Sequence, residues 1–231
     1  MKDCMEYKSI SFGLVFLAWT LCIICLLFAA PAAFAYDYWG SGFIINKDGY
    51  GLTAAHVFPP DATNLKGTLY DRRVCDITII MTDPVHDAAV FKLNCKGPFK
   101  SVTLTTHPKN PPYKLYGFPA KCDSISKQEF EECKKNRPSE NQLVGLLQAP
   151  VTSRPGNSGG PLVDSTNQVF GLLSQGLFDN KTLKWMNNIC YYSPMKYSIQ
   201  LLIDKQIAYN VDAPTNNIKQ AVILITGDLH E

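Results

Sequence analysis

Beyond residue 36 the chain is cut into short β-prone segments by turn residues at close intervals, and this spacing limits what it can fold into. Segments rich in aliphatic, aromatic and β-branched residues fall at 42–45, 50–57, 68–70, 74–81, 88–93, 101–105, 113–118, 143–148, 161–163, 169–174 and 189–192. The tetrapeptide Asn46-Lys47-Asp48-Gly49 between the first two is a strong hairpin signal. Strands this short, separated by Gly, Pro, Asn and Asp, predict an all-β barrel or sandwich. Helical periodicity is credible once, over 195–207, where Ile199, Leu202, Ile203 and Ile207 share a face. A strand-like run at 221–226 lies in the tail, and the sequence names no partner for it.

The chain has 231 residues, 46% hydrophobic and 18% charged, a balance that favours a folded core over disorder. Lys plus Arg number 22 against 20 Asp plus Glu, with no long basic run, so nucleic acid is not an expected partner. Residues 9–36 carry no charge and follow a short head holding Lys2 and Lys8. Such a segment is an export signal or a membrane anchor. Pro31-Ala32-Ala33-Phe34-Ala35 supplies a small-x-small site that places a cut after Ala35, while the length of the apolar run approaches that of a span. The remainder is expected outside the cytoplasm, secreted or periplasmic if cut, and otherwise membrane-associated through residues 9–30. Domains are expected at 1–35 for this segment and 36–231 for the folded part. An excursion rich in both charges is read at 121–140.

Cys4, Cys22 and Cys25 belong to the leading segment, leaving Cys75, Cys95, Cys122, Cys133 and Cys190. In an oxidising compartment the expected pairs are Cys75 with Cys95 and Cys122 with Cys133, each worth roughly 3 kcal/mol. The Cys and His spacing fits no metal site.

The stretch at 154–164, RPGNSGGPLVD, surrounds Ser158 with glycines, which suits a turn where backbone amides approach a reacting oxygen. Alone, such a run is more often a linker or a plain turn. A serine hydroxyl needs a base and an orienting acid to become a nucleophile. His56 follows Leu52-Thr53-Ala54-Ala55, with small neighbours that leave room for an exposed imidazole; otherwise it is an ordinary strand-end histidine. His86, His107 and His230 sit in polar turns or the tail. Asp87 opens the apolar run at 88–93, placing an acid near the core where it can accept from an imidazole N–H; otherwise it caps the strand. Asp83 competes for that role but precedes Pro84 in a turn.

Taken together, Thr53-Ala54-Ala55-His56, the run at 87–93 and the run at 156–164 resemble the chymotrypsin-like (trypsin-like) serine peptidases. The block at 41–57 looks most like the Deg or high-temperature-requirement branch. The order His, Asp, Ser, with spacings of 31 and 71 residues, suits that fold. The resemblance implies two antiparallel six-stranded β-barrels, at about 36–110 and 111–210, with a C-terminal helix and a tail at 211–231. The 73 residues after Ser158 leave no room for an appended PDZ domain.

It further implies that His56, Asp87 and Ser158 form a catalytic triad, with Gly156 and Ser158 N–H groups as an oxyanion hole. Ser174, Gln175 and Gly176 correspond to a strand edge that pairs with an extended polypeptide substrate, and Thr152 to the base of the specificity pocket. No cofactor is required. Asn157 stands where digestive-type relatives carry an aspartate that pairs with a new N-terminus, so that activation route is excluded. The function implied is an exported serine endopeptidase acting through an acyl-enzyme. One rival is a catalytically silent or resting relative that binds peptide or acts as a chaperone, a state that Pro155 could favour by biasing the oxyanion loop. Another is a lipase or esterase, whose Gly-x-Ser-x-Gly elbow leads into a helix, whereas a strand-like segment follows here.

Overall fold

The computed structural model describes residues 38–119, 126–130, 145–179, 181–182, 184–211 and 216–229. The leading segment and the proposed Cys122–Cys133 pair lie outside them. Thirteen strands, one α-helix and two short 3-10 segments make up the regular structure described, with Tyr36–Glu231 as one unit. Among the described residues no helix is long and apolar enough to cross a membrane.

Six strands close a barrel: β1 (Tyr38–Ile44), β2 (Tyr50–Thr53), β3 (Ala62–Thr68), β4 (Val74–Asp83), β5 (Ala88–Asn94) and the last strand of the chain, which inserts between β1 and β3. The β1–β2 hairpin forms where the Asn-Lys-Asp-Gly signal predicts it. Asn46 Oδ1 accepts from Asp48 N and Tyr50 N at 3.0 and 3.2 Å, and Gly49 takes φ +84°. A tight β4–β5 hairpin follows, and the Cys75–Cys95 disulfide closes its open end as expected. The barrel interior is filled by Ile44, Phe58, Ile77, Phe91, Leu93 and Ile225.

The remaining strands are β6 (Thr103–Leu104), β7 (Tyr113–Gly117), β8 (Ser126–Phe130), β9 (Leu147–Ala149), β10 (Pro161–Val163), β11 (Gln168–Asp179) and β12 (Lys184–Pro194). They form one sheet in the order β8-β7-β10-β11-β12-β9, with β6 pairing parallel to β11. A shared core of Phe43, Leu52, Val90, Phe118, Leu172 and Leu202 joins this sheet and helix α1 (Met195–Asp204) to the barrel.

The fold refines the expectations at four points. Among the described residues the second set of strands forms a sheet beside the one closed barrel. The supposed tail supplies β13 (Val222–Leu229), whose partners are β1 and β3, both distant in sequence. Part of the charged excursion, Ser126–Phe130, returns as strand β8 against β7. Helix α1 stops at Asp204 and is rotated from the expected face: Ser198, Leu201 and Leu202 are buried while Ile203 is 55% exposed. Periodicity ranks residues by hydrophobicity, whereas the docked helix also buries the polar Ser198.

Closure by β13 gives it a large share of the barrel's stability. Ile225→Ala, which empties a fully buried site, should cost about 2–5 kcal/mol in urea denaturation. The Cys75→Ser/Cys95→Ser pair should cost about 3 kcal/mol, given a sequence separation of 20.

Candidate active site

His56 does not end a strand as the sequence suggests. β2 stops at Thr53, whose hydroxyl donates to Ser41 O at 2.7 Å, and the chain turns into a short 3-10 segment, Ala55–Val57, that carries the imidazole. Asp87 sits at the tip of the β4–β5 hairpin, buried, with φ +52°. A non-glycine residue in the left-handed region is held there by its surroundings. Those surroundings are hydrogen bonds: His56 Nδ1 lies 3.0 and 2.9 Å from Asp87 Oδ1 and Oδ2, and His56 N donates to Oδ1 at 3.0 Å. Ser174 Oγ, from β11, donates to Oδ2. Burial alone would push the Asp87 carboxyl up; the hydrogen bonds and charge of His56 with the Ser174 hydroxyl outweigh it and hold the group below the usual carboxylate value. The acid is 3% exposed at its side chain and the imidazole 47%, so one end of the pair is fixed and the other faces the cleft.

Asp83, the competing acid, is occupied elsewhere. It caps its own turn through Val85 N and His86 N and meets His86 Nδ1 at 2.6 Å. His86 is not a loose surface side chain either, because its ring stacks on Tyr197 of α1 at 3.7 Å.

Ser158 lies in a turn that other backbone presses from several sides. A Cβ on Gly156 would come within 2.2 Å of Phe118 O, and one on Gly159 within 2.2 Å of Ser41 O; both glycines also take positive φ. Only glycine fits either position. Ser41 clamps the turn: its Oγ donates to Gly156 O at 2.6 Å and accepts from Phe118 N at 2.9 Å, while Ser41 N donates to Ser158 O at 2.8 Å. Among the described residues neither Gly156 N–H nor Ser158 N–H donates to an acceptor within the chain. Asn157 is fully buried, and among the described residues neither side-chain amide atom has a partner. Ser158 Oγ donates to Ser174 O at 3.4 Å rather than to the imidazole.

The other predicted positions surround this centre. Gln175 and Gly176 pair with Tyr191 and Cys190 of β12, while β10 pairs with β11 only as far as Leu172, so among the described residues no strand pairs with the opposite edge of 174–176. Thr152 is half-buried and forms a parallel bridge to Ile189 of β12. A cavity of about 760 Å³ adjoins His56, with Phe58, Pro60, Ile79, Pro84 and Gln175 on its walls. Two contacts escaped sequence reasoning. The Ser174 hydroxyl binds Asp87 in addition to its place on the strand edge, and Ser41 has no local signal beyond its place in a glycine-flanked strand.

The family model for the trypsin-like peptidase domain matches residues 40–172. Curated relatives include probable periplasmic serine endoproteases described as DegP-like: one from Ectopseudomonas mendocina is 37% identical over 139 residues, and one from Pseudomonas fluorescens 35% identical over the same length. Each match covers 59% of this chain and 29% of the relative, so the chain spans less than a third of those proteins. Among solved structures, the HtrA-type protease AlgW with a tripeptide aligns at 25% identity and TM-score 0.60, covering 73% of this chain and 55% of that one. A serine endoprotease from Yersinia pestis aligns at 20% identity and TM-score 0.57, covering 76% and 60%, a likeness of fold. With the matched residues running from β1 through the Ser158 turn into β11, the chain belongs to the trypsin-like peptidase domain family.

Proposed function

We propose that this chain is an extracytoplasmic serine endopeptidase in which Ser158 is the nucleophile, His56 the general base and Asp87 the residue that orients the imidazole. The observation that carries the reading is the pair of contacts from His56 Nδ1 to a buried, ionised Asp87, which leaves Nε2 as the basic nitrogen facing the cleft. Ser158 Oγ rotates from the Ser174 carbonyl to Nε2, gives up its proton and attacks a peptide carbonyl. The developing oxyanion is received by the undonated N–H groups of Gly156 and Ser158, each worth roughly 3 kcal/mol of barrier. His56 then protonates the leaving amine, and water frees the acyl-enzyme. The resting hydrogen bond to Ser174 O also supports the second reading, a silent or resting relative that binds peptide without cutting it. The periplasmic assignment of the curated relatives supports an extracytoplasmic site of action, and peptide in the AlgW complexes supports a polypeptide ligand.

A substrate that adds to the open edge of 174–176 by the antiparallel pairing used throughout β10–β12 runs from Gly176 towards Ser174. The residue being cut then lies at Ser174 and Ser158, and the side chain before it lies over Gln175, facing the cavity beside His56. Phe58, Ile79 and the prolines make that cavity a receptor for a large apolar side chain.

A fluorophosphonate probe should label residues 36–231, fail on Ser158→Ala and be severely slowed on His56→Ala; equal labelling of all three sinks the assignment, and a folded but unlabelled chain selects the silent reading. Asp87→Asn should lower kcat by ~10⁴-fold. Mass analysis of a casein digest should find large apolar residues immediately before the cleaved one, a bias that Ile79→Ser reduces. Ionised Asp87, held below its ordinary value, adds stability that is fully present above the unfolded value of about 3.9 and is lost as pH falls through the lower folded value. Thermal melts from neutral to strongly acid pH should therefore show a shallower acid loss in Asp87→Asn than in the native chain.

A further inference from the structure

The end of the barrel farthest from Asp87 carries a second cavity, of about 690 Å³, between the turn that joins β3 to β4, the loop after β5 and the segment leading into β13. β4 is ten residues long, so roughly 30 Å of strand separates this end of the hairpin from its tip. Arg73 anchors the cavity. Its Nε donates to Asp71 Oδ2 at 2.8 Å, Nη2 to Pro98 O at 3.0 Å and Nη1 to Lys96 O, and its guanidinium lies 5.6 Å over the Phe99 ring. Those bonds fix the loop at 96–100 against the turn, and Asp71, the only acid on the walls among the described residues, is spent on them. Lys96 and Lys100 are exposed on the same walls, and among the described residues neither meets a carboxylate. Gln220 is half-buried there, with no partner for its side-chain amide among the described residues. Leu69 is a buried part of the wall, and Tyr70 beside it is 55% exposed. Three cations thus stand against one acid around this cavity, in a chain whose basic and acidic residues nearly balance at 22 and 20.

We propose that this cavity binds an acidic segment of a partner polypeptide, with carboxylates on Lys96 and Lys100 and an apolar side chain against Leu69 and Tyr70. Charge complementarity selects the sign of the ligand. Gln220 selects its kind: a side-chain amide both donates and accepts, which matches a peptide backbone, whereas a phosphate or sulfate group only accepts. Asp71 weighs the same way, because spaced carboxylates can avoid it and a polymer charged at every unit cannot. The site is separate from the cleft that holds His56 and Ser158, and it does not require the peptidase reading.

The test follows the fluorescence anisotropy of a labelled decapeptide alternating glutamate and leucine, added to residues 36–231 carrying Ser158→Ala so that nothing is cut. The peptide should bind, and its counterpart with glutamine for glutamate should bind about tenfold more weakly, a difference that added salt narrows. Lys96→Ala/Lys100→Ala should weaken the glutamate peptide about tenfold and Tyr70→Ala about threefold. All three side chains are exposed, so these variants should melt with the parent. Ile79→Ser, which alters the cavity beside His56, should leave binding unchanged. A loss there instead of at the lysines puts the peptide in the cleft and overturns the proposal. Equal binding of the two peptides, or an unchanged affinity in the double variant, overturns it as well. So does heparin held through the two lysines where the acidic peptide is not. Fluorophosphonate labelling of the native chain is read separately, and its failure counts against the peptidase reading alone.

Discussion

The site depends on one buried carboxylate. Asp87 is removed from water at the tip of a hairpin, in a backbone conformation that non-glycine residues rarely adopt, and a charge so placed is tolerated only if its oxygens are satisfied. The four contacts that satisfy it come from two parts of the fold: His56, backbone and ring, from the turn after β2, and Ser174 from β11. Each partner is thereby located by the need of the acid. The Ser174 bond ties the barrel hairpin to the strand that carries the open edge, so the orientation of the imidazole and the position of that edge are set together.

The Ser158 turn follows a complementary logic. The acid is held by polar satisfaction, the turn by exclusion. Backbone from Phe118, Ser41 and Tyr116 approaches Gly156, Gly159 and Gly160 so closely that no side chain could stand there. Ser41 converts that close approach into a fixed arrangement by spending its hydroxyl and its N–H on the turn and the start of the loop after β7. Among the described residues the Gly156 and Ser158 N–H groups donate to no acceptor within the chain, and this is the property an anion receptor requires. Asn157, buried without partners for its amide among the described residues, is a cost beside it.

Much of this could be read in one dimension because it is local. The Asn46–Gly49 turn, the apolar run of β5, the glycine-bracketed serine and the Cys75–Cys95 pair each have their signal within a short window, and the windows for His56, Asp87 and Ser158 stand in an order that resembles a known family. The helix face was misjudged because periodicity registers apolar residues and not the shape of the surface they meet. The second set of strands was expected to close on the strength of resemblance alone, and no local pattern bears on closure.

What the sequence by itself determined was therefore the inventory: an all-β chain, its turns, and three chemically suited residues with small neighbours. Tertiary structure decided which distant groups complete them. Ser174 reaches Asp87 across 87 positions, Ser41 reaches Gly156 across 115, and β13 closes a barrel begun at Tyr38. Contacts of that separation leave no trace in any window of sequence, since a serine that caps a buried acid and one that faces water are spelled alike. They are fixed only when the shared core packs barrel against sheet and brings their backbones within hydrogen-bond distance.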